Sequence, residues 1–131
     1  MATTQQQASI LIVEDEQTLS EAYQMVLTKA GYDVEVAYDG QEALQKIKQK
    51  DPTLILLDLR MPRMDGIEFL RNYHLTEEHP RVKVIVFSNY DMQKEIDEAY
   101  RLGAERYILK AWASPKELLQ VVHNTLDSES V

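Results

Sequence analysis

The period of the apolar residues changes regularly along this chain, and this alternation restricts the possible folds more than any other feature. Ile10–Val13 is a continuous apolar run rich in β-branched side chains, which predicts a strand covered on both faces. The next apolar residues follow the three- and four-residue spacing of a helix, and Gly31 is placed to end it. The same change from strand to helix then recurs down the chain.

Five strands and five helices are predicted in this way. The later strands are expected at Val34–Ala37, Leu54–Leu57, Val82–Phe87 and Tyr107–Leu109. One helix is expected from Asp91 to Leu102, and three others begin with capping sequences at Asp39, Asp65 and Ser114. The alternation favours an α/β fold, a doubly wound five-stranded parallel sheet. The strand order 2-1-3-4-5 is taken from known flavodoxin-like folds.

The length and composition indicate a single domain. A chain of 131 residues with 44% hydrophobic residues is long enough to form one core, and no linker or internal repeat interrupts it. We expect one domain over residues 1–131, with a core at about 9–127. The polar termini 1–8 and 128–131 are expected to be flexible.

The net charge, and the lack of a membrane-spanning run, a cysteine or a secretion signal, argue against several classes of function. The formal net charge of −8, without a cluster of lysine or arginine, argues against direct binding to nucleic acid. No apolar run approaches the ~20 residues that span a bilayer, so no membrane partner is expected. The chain has no cysteine and no secretion signal at its start, which makes the cytoplasm the expected location.

Polar side chains follow four of the predicted strands directly. Glu14-Asp15-Glu16 comes after the first strand, Asp58 after the third, Ser88 after the fourth and Lys110 after the fifth. Because ligands bind beyond the carboxyl ends of the strands in an open parallel sheet, we expect these side chains to share one crevice.

Clustered carboxylates raise one another's pKa unless a cation relieves the repulsion, and a site made of oxygen atoms suits Mg²⁺. The carboxylate of Asp58 could then act as a nucleophile toward a phosphoryl donor. Lys110 and Ser88 would contact the oxygens of the transferred group.

The motifs at these strand ends resemble those of one known family, the receiver (CheY-like) domains of bacterial two-component response regulators. The similar segments are residues 10–16, 56–66, 84–88 and 107–110, and the resemblance covers about residues 9–126. It implies a phosphoprotein in a two-component system or phosphorelay, a signalling switch rather than an enzyme. It also implies limited Mg²⁺-dependent self-phosphorylation from small donors and self-dephosphorylation.

The resemblance also implies roles for individual residues and partners. Asp58 would be the phosphoacceptor, Asp15 a direct Mg²⁺ ligand, Glu14 a ligand through water, and the carbonyl of Arg60 a further ligand. Lys110 would pair with Asp58 or its phosphate, while Ser88 and Tyr107 would move as the switch. The donor would be a sensor histidine kinase or a phosphotransfer protein. The modified surface would bind a downstream effector protein, an output domain or a dimer mate.

Two features depart from the common family pattern, and Arg60 and Tyr90 stand at positions that the resemblance links to the lifetime of the phosphate. Most members carry proline after the lysine, but Ala111 follows Lys110 here, so a cis and a trans bond both remain open. The segment that leads to Pro115 is one residue longer than usual. Arg60 and Tyr90 lie two residues beyond Asp58 and Ser88, where bulky side chains would restrict the hydrolytic water and slow the loss of phosphate.

Two other functions are compatible with this fold. A pseudo-receiver would keep the fold as an interaction scaffold without being phosphorylated. A phosphatase or phosphotransferase with an aspartyl-phosphate intermediate would need a second acid two residues after the nucleophile, where this chain has Arg60. The receiver interpretation uses every polar residue at the strand ends and is therefore preferred.

Overall fold

The predicted parallel sheet is present and has the predicted strand order. The computed structural model describes residues 8–89, 92–112 and 114–127, with the backbone alone at Trp112. The five strands are all parallel, in the order β2-β1-β3-β4-β5. They are β1 (Ser9–Val13), β2 (Asp33–Ala37), β3 (Leu54–Leu57), β4 (Lys83–Ser88) and β5 (Arg106–Leu109).

Helices connect the strands, as the sequence pattern predicts. They are α1 (Gln17–Lys29), α2 (Gly40–Gln49), α3 (Gly66–Tyr73), α4 (Leu75–Glu78), α5 (Gln93–Arg101) and α6 (Pro115–Asp127). The one-turn helix α4 and a 3-10 turn at Lys110–Trp112 were not predicted. Helix α5 is shorter than the predicted range, and Asp91, its predicted first residue, lies outside the described residues.

The predicted capping sequences form the expected hydrogen bonds. Asp65 and Glu68 each accept from the other's backbone N–H at the start of α3, and Ser114 and Glu117 do the same before α6. At the end of α1, Gly31 has a φ of +102°, a left-handed conformation that favours glycine.

The sheet separates two hydrophobic cores, because successive strand residues point to opposite faces. Helices α1 and α6 cover one face, where Tyr23 packs edge to face on Phe87 with 5.3 Å between the ring centroids. Helices α2 to α5 cover the other face, where Phe69 and Tyr73 stack. The buried strands are apolar on both faces, which explains their continuous apolar sequences.

A lysine covers part of one sheet edge. The ammonium of Lys46 in α2 donates a hydrogen bond of 2.6 Å to the carbonyl of Val36 in the edge strand β2. The same ammonium lies 3.6 Å from a carboxylate oxygen of Glu42, one turn earlier. The backbone of β2 is therefore partly satisfied on its outer side.

Two further observations bear on the sequence-based expectations. The peptide bond between Lys110 and Ala111 is trans, and the backbone continues from it into the 3-10 turn. Within the described ranges, no helix is both long and apolar enough to cross a bilayer.

Candidate functional site

The predicted crevice lies at the carboxyl ends of β1 and β3. The backbone N–H of Glu14 donates to the carbonyl of Ala37 and that of Asp58 donates to Val13, each at 3.0 Å. These bonds extend the sheet by one residue beyond each strand. Both acidic side chains are therefore positioned by the sheet, and both are buried, with exposures of 0% for Glu14 and 3% for Asp58.

Lys110 pairs with both of these acids. Its Nζ lies 2.6 Å from Oε1 of Glu14 and 3.0 Å from Oδ2 of Asp58. The ammonium also lies over the Phe87 ring, 5.4 Å from its centroid, which is within the range of a cation–π interaction. Residues that follow β1, β3 and β5 thus meet as predicted, and one cation offsets part of the charge of two buried anions.

Burial dominates the electrostatics of the site. Loss of solvent raises the pKa of Glu14 and of Asp58, and the contacts of each with Lys110 only partly oppose this effect. Burial alone would lower the pKa of Lys110, but its contacts with Glu14 and Asp58 outweigh burial and raise it. The ammonium of Lys110 is therefore held in its charged form. The carboxylates of Glu14 and Asp58 would be stabilised further by any ligand that adds positive charge.

The acidic residues have the donor set of a site for a hard cation. Carboxylate oxygens of Glu14, Asp15 and Asp58 lie within 4.8 Å of one another, the one such grouping among the described residues. The contact of Glu14 Oε1 with Lys110 lacks hydrogen-bond geometry, so this buried oxygen has no hydrogen-bond partner in the described part of the chain. A buried carboxylate oxygen that has an ion pair but no hydrogen bond, beside an exposed Asp15, fits Mg²⁺, which prefers oxygen ligands and retains water molecules.

Hydrogen bonds fix the loop that follows Asp58 close to this residue. The backbone N–H of Arg60 donates to Oδ1 of Asp58 at 3.2 Å, and that of Gly66 donates to the carbonyl of Leu59 at 3.0 Å. A Cβ at Gly66 would lie 2.6 Å from the carbonyl oxygen of Asp58. The start of α3 therefore packs directly against the backbone of Asp58.

Two arginines of this loop make ion pairs that the sequence did not predict. The guanidinium of Arg60 lies 2.9 Å from Oε2 of Glu95 in α5, and that of Arg63 pairs with the buried Asp39 before α2. A hydrogen bond from the backbone of Glu42, aided by Arg63, holds the pKa of Asp39 below its usual value despite burial. Asp39 was predicted only as a helix cap, and Glu95 was given no role, because no local motif links either acid to its arginine.

The predicted switch residues lie on the neighbouring strands. Ser88 is fully buried at the end of β4, and it is paired in register with Leu109 of β5. Tyr107 is half-buried in β5 and packs against the core formed by α2 to α5. Tyr90, predicted to tune the loss of phosphate, lies outside the described residues.

Comparison with known proteins identifies the family. The response regulator receiver domain family matches residues 10–123 of the chain. The chain belongs to this family. A receiver domain is a component of two-component signal transduction, a switch rather than an enzyme, and it implies a histidine kinase as partner.

Solved receiver structures share the whole fold. A CheY-like receiver domain protein from Methanospirillum hungatei JF-1 is 30% identical, with a TM-score of 0.87 over 95% of this chain and 98% of that one. CheY4 of Vibrio cholerae is 27% identical, with a TM-score of 0.82 over 91% and 98% of the two chains. NtrX from Brucella abortus is 27% identical with a TM-score of 0.83, and the match covers 95% of this chain but 28% of that one. The receiver fold therefore occurs both as most of a chain and as a part of a longer one.

Proposed function

We propose that this receiver domain accepts a phosphoryl group on Asp58 from a histidine kinase or a phosphotransfer protein. The observation that carries this proposal is the contact of Lys110 with Asp58 and Glu14, inside a cluster of three carboxylates. Asp58 is the acid of this cluster that directly follows β3. Its buried carboxylate accepts hydrogen bonds from the ammonium of Lys110 and from the backbone N–H of Arg60. We expect this chemistry in the cytoplasm.

The transfer itself requires little of the protein beyond positioning and charge. A carboxylate oxygen of Asp58 forms a bond to phosphorus while the bond from phosphorus to the histidine nitrogen breaks, and that nitrogen keeps the electron pair. Before transfer, the ammonium of Lys110 contacts the carboxylate of Asp58. After transfer, it can pair with the oxygens of the phosphoryl group. Ser88, buried at the end of the adjacent strand β4, would supply a hydroxyl to the phosphoryl oxygens.

Glu14, Asp15 and Asp58, with the backbone carbonyl of Arg60, would hold the Mg²⁺ ion. When bound, the ion supplies positive charge that reduces repulsion between the carboxylates and the incoming phosphoryl group. Support comes from Oε1 of Glu14, which is buried without a hydrogen bond in the described part of the chain, and from the mutual distances of the three carboxylates.

Incubation of the purified chain with acetyl phosphate and Mg²⁺ should add one phosphoryl mass, measured on the intact protein. Asp58→Asn should abolish the gain because it removes the nucleophilic oxygen, and omission of Mg²⁺ should strongly reduce it. Asp97→Asn, which changes an exposed aspartate of α5, is the matched control and should take up the phosphoryl group normally.

If folded protein gains no mass, the same measurement is repeated with a phosphorylated histidine kinase as donor. Absence of transfer from both donors would mean that the chain is a pseudo-receiver and that the proposal is wrong. A gain that persists in Asp58→Asn would place the acceptor elsewhere.

We further propose that phosphorylation shifts the population of two surface conformations. The added charge at Asp58 would draw Ser88 and Lys110 inward and change the rotamer of Tyr107. The surface formed by α5, β5 and α6 would then bind a downstream effector protein, an output domain or a second copy of the chain. Arg60 and Tyr90 would slow the loss of phosphate by restricting water.

Addition of a beryllofluoride phosphate analogue with Mg²⁺ should shift NMR signals of residues 92–112 as well as those of the crevice. The physical reason is that Lys110 directly follows β5, while Ser88 ends β4, the strand that precedes α5 along the chain. Asp58→Asn under the same conditions is the control. Shifts confined to residues within the crevice would contradict the switch.

A further inference from the structure

A buried carboxylate at the start of α2 binds a side chain of the β3–α3 loop (residues 58–65). The side chain of Asp39 is 3% exposed. Its Oδ2 accepts from Nε of Arg63 at 2.7 Å and pairs with the Nη2 of the same guanidinium. Its Oδ1 accepts from the backbone N–H of Glu42 at 2.8 Å. One oxygen of Asp39 therefore caps the helix, and the other binds the loop.

Arg63 has a backbone conformation that residues other than glycine seldom adopt. Its φ is +65°, and the N–H of Met64 donates to the carbonyl of Pro62 at 2.8 Å, which closes a tight turn of three residues around Arg63. Such a conformation costs free energy and persists only where the surrounding structure holds it. The ion pair with Asp39 is a contact that can hold it.

A backbone contact joins the same two segments of the chain. The N–H of Gly40, the first residue of α2, donates to the carbonyl of Met64 at 3.1 Å. A Cβ at Gly40 would lie 2.7 Å from this carbonyl oxygen, so the close approach requires glycine. The start of α2 thus binds the loop through one side chain and one backbone hydrogen bond.

The β3–α3 loop also carries backbone groups of the candidate site. The N–H of Arg60 donates to Oδ1 of Asp58 at 3.2 Å, and the carbonyl of Arg60 belongs to the proposed Mg²⁺ site. At the other end of the loop, the N–H of Gly66 bonds back to the residue after Asp58. Arg63 lies between these two fixed points. Its contact with Asp39 therefore restrains the middle of the loop, three residues from the proposed ligand.

We propose that Asp39 is a positioning residue for the Mg²⁺ site. Through Arg63 it keeps the loop in the conformation in which the carbonyl of Arg60 is a ligand, although Asp39 is not one of the three clustered carboxylates. An ion binds more weakly when the binding-competent conformation is populated only in part, so loss of the ion pair weakens the binding of Mg²⁺. This inference rests on the proposed function, whose Mg²⁺ site includes Arg60.

The test is the dissociation constant of Mg²⁺, measured on the unphosphorylated chain by titration of the NMR signals of the crevice. Arg63→Gln removes the cation and should raise this constant about threefold, a factor within the range of a partly exposed ion pair. Asp39→Asn keeps an oxygen for the helix cap and should raise it by a similar factor. Because both variants break one contact, the double variant should bind no more weakly than the weaker single variant.

Arg71→Gln is the matched control. Arg71 of α3 has a side-chain exposure of 58%, against 65% for Arg63, and it lies 3.2 Å from Glu98 of α5, outside the β3–α3 loop. Its replacement also removes one arginine from one ion pair, so it changes the net charge equally. The dissociation constant of Mg²⁺ should be unchanged in this variant.

Hydrogen exchange gives a second readout that does not depend on the metal. The N–H of Gly40 reports the contact between α2 and the loop directly, because it bonds to the carbonyl of Met64. Without Mg²⁺, this amide should exchange about threefold faster in Arg63→Gln than in the unaltered chain. In Arg71→Gln its rate should stay the same.

The outcomes separate this inference from the proposed function. If the unaltered chain binds Mg²⁺ and both Arg63→Gln and Asp39→Asn bind it equally well, the inference is wrong and the proposed function stands. The same holds if the amide of Gly40 exchanges faster while the affinity for Mg²⁺ is unchanged. If the unaltered chain binds no Mg²⁺, the proposed metal site fails and this inference with it.

Discussion

Replacement of Lys110 by methionine should lower the free energy of unfolding by about 3 kcal/mol, because removal of one partner leaves buried charges without compensation. Its Nζ is the cation that contacts both Glu14 and Asp58, whose side chains are almost wholly buried. Methionine fills a similar volume, so the loss reports charge rather than packing. The measurement is chemical denaturation without divalent ions.

The same variant should regain stability when Mg²⁺ is added, by more than the unaltered protein does. A divalent cation bound to the folded state offsets the repulsion that Lys110 no longer relieves. Lys83→Met is the matched control, since its ammonium lies 3.0 Å from Glu105 but that acid is 43% exposed. We expect a change of no more than about 1 kcal/mol there. Equal stabilities of Lys110→Met and the unaltered protein would show that the ion pair does not compensate the buried acids.

Gly66→Ala should cost about 3 kcal/mol of stability and also impair phosphorylation of Asp58, because it overpacks a rigid site. The new Cβ would lie 2.6 Å from the carbonyl oxygen of Asp58 and 2.8 Å from Cα of Leu59. Both are backbone atoms and cannot rotate away. The N-terminus of α3 or the backbone at Asp58 must therefore shift, and a shift at Asp58 would change its distance from Lys110.

Gly31→Ala separates this effect from a general cost of replacing glycine. That position has open space around it but a positive φ, so alanine should lose about 1 kcal/mol through backbone strain alone. It lies at the end of α1, and phosphoryl uptake from acetyl phosphate should be unchanged. A Gly66→Ala protein that keeps both normal stability and normal uptake would contradict the close packing of α3 against the acceptor.

The sheet and the cluster at its edge could be predicted from the sequence for one physical reason. Parallel strands end at the same edge, so polar residues that directly follow apolar runs are brought together whatever lies between them. The structure confirms this for Glu14, Asp58 and Lys110 by direct contact. The helix starts were predictable as well, because a capping side chain bonds only a few residues away.

The unpredicted features depend on choices between distant residues. Arg60 and Arg63 have long side chains that could reach several acids, and only the packing of α2 and α5 selects Asp39 and Glu95. The one-turn helix α4 was not predicted because it has no capping side chain at its start, where His74 makes no cap hydrogen bond. His74 takes a left-handed conformation with φ of +55° between α3 and α4, which non-glycine residues seldom adopt, and the residue after it, Leu75, is buried.

The hydrogen bond from Lys46 to the edge strand β2 has a consequence for how copies of this protein meet in a crowded solution. An exposed strand edge is a template on which another chain can add its own strand, the first step toward aggregation. At Val36 the outward carbonyl is already occupied, and any approaching strand would have to displace a charged side chain. Growth of the sheet across β2 is thereby disfavoured, which protects this side of the sheet from polymerisation.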